Sequence, residues 1–212
     1  MGVALGHGFT LVVTDAGAVF SCGTGTDGVL GHGSQSEVLP RRVDVLAQTG
    51  RRFVAVAAGH CHALALTEEG ELYGWGAACA NGHENDEHMP RQVAALIGYR
   101  VKLAAARDEF SCAVTEKGEL FTWSTNGSQY NLGHGLNTQQ VTPKRVEALV
   151  GVRVAAVAIN RYHTLAADED GVVWAFGRRR ALGLDAPSPE EAGFVKTPTP
   201  IPTLRVRALK AP

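Results

Sequence analysis

Residues 59–76 read GHCHALALTEEGELYGWG, and this stretch decides the fold. Positions 63–67 form an apolar run of strand length, and positions 71–76 alternate polar and apolar residues, with aromatics that suit a pleated surface. Between the two runs, Gly70 supplies a residue that adopts a positive φ without steric cost. Two such runs joined by a short glycine turn predict a β-hairpin.

The same pattern occurs four times in the chain. The other copies are 6–23 (GHGFTLVVTDAGAVFSCG), 107–124 (RDEFSCAVTEKGELFTWS) and 160–177 (NRYHTLAADEDGVVWAFG). Their turn glycines, Gly17, Gly70, Gly118 and Gly171, are 53, 48 and 53 residues apart. A β-hairpin module that repeats about every fifty residues is typical of propeller blades, in which neighbouring modules bury faces that neither buries alone.

Two further landmarks keep the same register. A short apolar segment led by arginine starts at Arg52, Arg100 and Arg153 and returns at Arg205, while a Pro-basic segment recurs at 40–43, 90–93 and 143–146. We therefore predict one domain over 1–212 with repeat units at about 3–51, 52–99, 100–152 and 153–204, and an extra strand at 205–212. The short stretch at 2–5 stands where the first Arg-led segment is expected.

The pattern G-H-x-H-x-L-A-L-T-x-x-G-x-L-Y-x-W-G at 59–76, together with Leu-Gly-His-Gly at 30–33 and 132–135, resembles the RCC1 (regulator of chromosome condensation) repeat. The resemblance covers about residues 3–211 and implies a seven-bladed β-propeller. Four units predict an all-β fold that is either a partial arc of such a propeller or a small closed ring, and the arc is favoured because four blades are the low end for a ring. Unit two departs from the repeat because Leu-Gly-His-Gly is missing from 77–89.

Composition narrows the classes of function. With 20 Lys+Arg against 21 Asp+Glu, the net charge of −1 predicts no direct nucleic-acid binding, and no apolar run is long enough to predict membrane insertion. The start of the chain lacks the pattern of a signal peptide, and Cys22, Cys61, Cys79 and Cys112 show no CxxC spacing. We expect reduced thiols in an intracellular protein, with the cytoplasm favoured over the nucleus.

Histidines are the main candidates for chemistry. His62 and His163 share a repeat position that carries Phe9 and Phe110 in the other units, so we interpret them as packing residues. The cluster at 83–88, HENDEH, has one residue too many for a zincin motif and is predicted to be a solvated loop. No catalytic triad signature or phosphate-binding loop is present. The sequence therefore predicts no catalytic residue, no cofactor and no metal site.

Basic residues remain as candidates for binding a partner. Arg178, Arg179 and Arg180 form a cluster after the second hairpin strand of unit four, where guanidinium groups can meet an acidic partner or phosphates. The Pro-basic segments add a set of equivalent residues: Arg41, Arg42, Lys144 and Arg145. We expect these segments to form a positive rim, with the acidic turn residues at 68–69, 116 and 169–170 forming an opposing rim.

The predicted function is a non-enzymatic scaffold that binds a protein through blade loops. An open arc also predicts self-association, because its end faces are apolar. The alternative, which the resemblance implies, is guanine-nucleotide exchange on a small Ras-like GTPase.

Overall fold

A computed structural model describes residues 2–77, 81–125, 130–136, 138–184 and 193–207. These residues form four blades of four strands each. The strands of the first two blades are β1 (Gly2–Leu5), β2 (Phe9–Val13), β3 (Val19–Gly23), β4 (Glu37–Arg42), β5 (Phe53–Ala58), β6 (His62–Thr67), β7 (Leu72–Gly76) and β8 (Glu87–Gln92). The strands of the last two are β9 (Val101–Arg107), β10 (Phe110–Thr115), β11 (Leu120–Ser124), β12 (Gln140–Arg145), β13 (Val154–Ile159), β14 (His163–Asp168), β15 (Val172–Arg178) and β16 (Phe194–Arg205).

Among the described residues, helical structure is confined to short connections. One α-helix, α1 (Asp44–Gln48), follows the first blade, and single 3₁₀ turns occupy Thr26–Gly28, Ala94–Leu96, Glu147–Leu149 and Arg179–Ala181. No helix within the described ranges is long and apolar enough to cross a membrane.

Each blade is an antiparallel sheet whose strands lie in sequence order. The first strands of successive blades, β1, β5, β9 and β13, contact one another in series and therefore line the inner side of the arc. The predicted all-β fold of side-by-side hairpin modules is confirmed.

The hairpin turns also connect one blade to the next. Gly70 has a φ of +86°, and its carbonyl oxygen accepts the N–H of Val101, the first residue of the next inner strand, at 2.9 Å. The same link joins Gly17 to Phe53 at 3.1 Å and Gly118 to Val154 at 3.0 Å. The repeat period thus has a direct cause, because each turn positions the start of the following blade.

Apolar side chains fill the spaces between blades. Trp75 of the second blade packs against the first, where its indole N–H donates to the carbonyl oxygen of Val29 at 2.7 Å. Trp123 and Phe176 hold the equivalent position in the next two interfaces, and all three side chains are fully buried. Trp174 is partly buried and packs at the third interface.

Histidine-bearing turns occur between the outer parts of the blades. His32 and His134 lie with Nε2 at 2.9 and 3.1 Å from the hydroxyls of Ser21 and Thr122. Unit two has a turn at this position although Leu-Gly-His-Gly is missing from its sequence. Residues 81–83, Asn-Gly-His, take its place: Gly82 has a φ of +89°, close to that of the glycines in the other turns, and the side chain of His83 is buried.

The ends of the stack are open within the described residues. Val3 and Leu5 on β1 are 63% and 73% exposed, so the structure is an arc and not the small closed ring that the sequence also allowed. Arg205 ends β16, and the N–H of Val206 donates to the carbonyl oxygen of Gly171 at 3.0 Å, which repeats the link between blades. Positions 208–212 of the predicted extra strand lie outside the described residues.

Candidate protein-binding site at the loop end

The blades present two different ends. One, the hairpin end, carries the turns at 14–18, 67–71, 115–119 and 168–172. The other, the loop end, carries the short loops at 6–8, 59–61, 108–109 and 160–162, which join the inner strand of each blade to the next strand. The predicted basic residues are divided between these two ends.

Arg41, Arg42, Lys144 and Arg145 lie at the hairpin end, since their strands pair with the residues that follow the turns. Carboxylates neutralise three of these four side chains. Arg41 pairs with Glu37, Arg42 pairs with Asp44 at 2.9 Å, and Arg145 contacts both Glu147 at 3.0 Å and Glu119 at 3.4 Å. Hydrogen bonds to Glu147 raise the pKa of Arg145. The role of these residues in partner binding stays a prediction.

The acidic turn residues lie at this same end. Glu68, Glu116 and Glu169 pair with the arginines that lead the inner strands, at distances of 3.6, 3.1 and 2.7 Å. The expectation of an acidic rim opposite the basic segments is therefore wrong, because the hairpin turns and the Pro-basic strand ends meet at one end of the blade. Charges of both signs alternate there.

Arg178, Arg179 and Arg180 lie at the loop end of the fourth blade. The N–H of Arg178 donates to the carbonyl oxygen of Tyr162 at 2.8 Å, and its guanidinium carbon lies 5.3 Å from the centre of the Tyr162 ring. Arg161 approaches the same ring at 5.7 Å, a geometry suited to cation–π attraction. The structure thus adds Arg161 and Tyr162 to the predicted cluster, whose part in binding remains a prediction.

Four equivalent positions surround the inner rim of the loop end. They carry His7, His60, Asp108 and Arg161, one from each blade. The rings of His7 and His60 stack with centroids 4.3 Å apart, and the N–H of His60 donates to the carbonyl oxygen of Asp108 at 2.7 Å. Hydrogen bonds and stacking between blades therefore fix the position of this rim.

A cleft of about 110 Å³ opens beside the rim. Its walls come from the second, third and fourth blades: His60, Asp108, Glu109, Phe110, Ser124, Asn131 and Arg161. Asp108 has a φ of +50°, a conformation that Asp tolerates better than most residues, and it forms with Glu109 the two-residue turn between β9 and β10. Asn131 closes the cleft with an amide that donates from Nδ2 to the carbonyl oxygen of Arg161 at 2.9 Å.

Sequence reasoning missed Asp108, Glu109 and Asn131. The signal that reveals them is the departure from the repeat, because unit three has Arg-Asp-Glu where units one and two have Gly-His followed by a small residue. Departures of this kind mark positions that the shared fold does not explain.

Of the two histidines predicted to pack, His62 does so, whereas His163 is half-buried. His62 is fully buried, and its Nε2 lies 2.7 Å from the hydroxyl of Ser111 in the next blade. Burial is the main cause that lowers the pKa of His62, and it acts in the same direction on His163. His83 is buried and His88 is exposed on β8, and within the described ranges no three potential metal ligands come together. Cys79 lies outside those ranges.

Comparison with known protein families gives matches to the repeat units. A family model for the regulator of chromosome condensation (RCC1) repeat matches residues 16–66 and 117–167, and a second model with the same description matches 53–82. The chain belongs to the RCC1 repeat family. These matches coincide with the hairpins and inner strands that form the blades.

RCC1-repeat relatives are longer than this chain. The ultraviolet-B receptor UVR8 of Arabidopsis thaliana is 34% identical over 86% of the chain and 42% of its own length. The human E3 ubiquitin-protein ligase HERC2 is 38% identical over 82% of the chain and 4% of its own length. The crystal structure of human WBSCR16 superimposes with a TM-score of 0.81 at 26% identity, covering 95% of the chain and 52% of WBSCR16. The chain thus spans about half, or less, of each of these proteins.

Proposed function

We propose that this RCC1-repeat chain is a non-enzymatic scaffold that binds a protein partner through its loop end. The observation that carries the proposal is the contrast between the two ends. At the hairpin end, most of the charged side chains are paired within their own blade. At the loop end, the carboxylates of Asp108 and Glu109 have no ion pair with any described residue.

The blade interfaces give the loops the rigidity that binding needs. Buried aromatic side chains fill each junction, and the loops of neighbouring blades are joined by hydrogen bonds from His60 to Asp108 and from Asn131 to Arg161. Loops held in this way lose little conformational entropy when a partner binds. An intracellular location is part of the proposal, and it is supported by Cys22 and Cys112, which form no disulfide bond with the described residues.

Photo-crosslinking from matched positions tests the proposal. Tyr162 at the loop end and Tyr99 at the hairpin end are similarly exposed, at 37% and 39%. Each is replaced in turn by p-benzoylphenylalanine, and the chain is irradiated in extract from its native source. We expect a specific crosslinked protein from position 162 and none from position 99. Crosslinks from position 99 alone would contradict binding at the loop end.

Guanine-nucleotide exchange is the alternative function. Release of a fluorescent guanine nucleotide from a panel of small Ras-like GTPases separates the two, because a scaffold leaves the release rate at its intrinsic value. Acceleration that depends on the concentration of the chain would establish exchange and overturn the non-enzymatic proposal.

A further inference from the structure

We propose that the cleft beside Asp108 binds the ammonium or guanidinium group of a basic side chain presented by a protein partner. The inference rests on the proposed scaffold function for the source of that group. Two observations support it: a buried side-chain amide has an acceptor without a hydrogen-bond partner, and the residues that line the cleft have a net negative charge.

The side chain of Asn131 is buried with one hydrogen-bond acceptor unpaired. The residue is only 2% exposed, and its side-chain oxygen, Oδ1, is buried without a partner. The orientation of the amide is fixed, because Nδ2 donates to the carbonyl oxygen of Arg161 and rotation would place two acceptors face to face. A buried acceptor left unpaired costs free energy, so a donor entering the cleft is stabilised there.

The walls favour a positively charged donor. Asp108 and Glu109 are half-buried acidic residues that form no ion pair with the described residues, and together with Arg161 they give the cleft one net negative charge. Arg161 lies against the ring of Tyr162, and its guanidinium makes no ion pair with Asp108 or Glu109. Partial burial strengthens the attraction between these carboxylates and a cation.

The size of the cleft limits what it accepts. A volume of about 110 Å³ holds several water molecules or one small head group, and is too small for a nucleotide. Both an ammonium and a guanidinium group carry several N–H donors, which suit the two carboxylates of Asp108 and Glu109 and the amide oxygen of Asn131.

The pair of adjacent acidic residues beside the cleft occurs once among the four equivalent loops. The positions equivalent to Asp108 and Glu109 are His7 and Gly8, His60 and Cys61, and Arg161 and Tyr162. Only the third blade presents two adjacent carboxylates, so the requirements of the repeat do not account for them.

Nuclear magnetic resonance titration of the ¹⁵N-labelled chain tests the inference. The probes are N-acetylarginine methylamide and N-acetyllysine methylamide, with the uncharged citrulline derivative and spermidine for comparison. We expect saturable shifts of the Asn131 side-chain amide and of the backbone amides at 108–110 with the arginine or lysine probe. The double variant D108N/E109Q is expected to weaken binding at least tenfold, and Asn at position 108 keeps the left-handed turn.

The control variant E69Q/D170N removes two exposed carboxylates at the hairpin end and is expected to bind like the wild type. Any of four results would overturn the inference: no saturable shifts, equal binding of the citrulline derivative, binding of spermidine alone, or an ordered water as the sole occupant. The titration needs no partner, so its failure beside successful crosslinking from position 162 would refute the cleft and leave the scaffold function standing.

Discussion

One strand position of the repeat carries Phe9, His62, Phe110 and His163. A buried histidine at this position makes the free energy of unfolding depend on pH. Burial lowers the pKa of His62 below its ordinary value of 6.5, and burial acts in the same direction on His32, His83, His134 and His163. The folded state therefore binds protons less readily than the unfolded state. Stability from these groups is fully present above pH 6.5 and is lost as the pH falls below it.

A double substitution tests the part played by His62. The variant H62F/S111A replaces His62 by the Phe that the first blade carries at the equivalent position (Phe9). It replaces Ser111 by the Ala that the second blade carries at the equivalent position (Ala63). We expect a smaller loss of unfolding free energy between pH 7.5 and pH 5 than in the wild type, because one buried group no longer takes up a proton on unfolding. Urea denaturation at both pH values measures it. An unchanged pH dependence would contradict the assignment, and replacement of the exposed His88 by Gln serves as control.

Cys112 gives a second prediction at the residue scale. Its side chain is fully buried, and burial raises the pKa of the thiol to about 12. The thiolate is the reactive form, so we expect no alkylation of Cys112 by iodoacetamide at pH 8 in the folded protein and complete alkylation in denaturant. Peptide mass spectrometry measures both, with the partly exposed Cys61 as the internal comparison. Rapid labelling of native Cys112 would show that the third blade opens readily.

At the scale of the element, the hairpin turn determines where the next blade begins. Gly118 and Gly151 both adopt positive φ, at +81° and +87°. A Cβ on Gly118 would lie 2.6 Å from the Cα of Arg153, whereas a Cβ on Gly151 meets nothing within 4 Å. The two glycines thus separate the cost of the backbone conformation from the cost of close approach between blades.

Alanine substitutions at these two glycines form a matched pair. We expect G151A to lower the unfolding free energy by about 1–2 kcal/mol through the left-handed conformation alone. G118A is expected to lower it by a further 1–3 kcal/mol, because Arg153 must move and the start of β13 moves with it. Equilibrium urea denaturation measures the difference. Equal losses would mean that the turn does not hold the neighbouring blade in place.

The hairpins were predictable from sequence because strand alternation and turn glycines are local signals, repeated four times. Contacts between strands and loops that are distant in the sequence could not be predicted in this way. The turn at 81–83 was missed because Asn81 replaces the leucine of the other copies, while the glycine and histidine alone carry the geometry. Strand direction decides that the Pro-basic segments lie at the same end of the blade as the acidic turns. The cleft at Asn131 needs residues from three blades.

At the scale of the whole molecule, the open arc predicts self-association of this chain. Its first blade exposes Val3 and Leu5 on the strand that would face a preceding blade. We expect sedimentation coefficients that rise with concentration, and V3S/L5S to reduce the rise because less apolar surface is buried on association. The control I97S/V150S changes two exposed apolar residues at the hairpin end, away from the open face of the first blade, and is expected to have no effect. A monomer at all concentrations would contradict the prediction.

Hydrogen–deuterium exchange measured with and without the captured partner tests binding at the loop end. We expect the partner to slow exchange at 108–110, 160–163 and 178–182, while the turns at 68–71 and 116–119 exchange at unchanged rates. Protection confined to the hairpin turns or to the outer strands would contradict it.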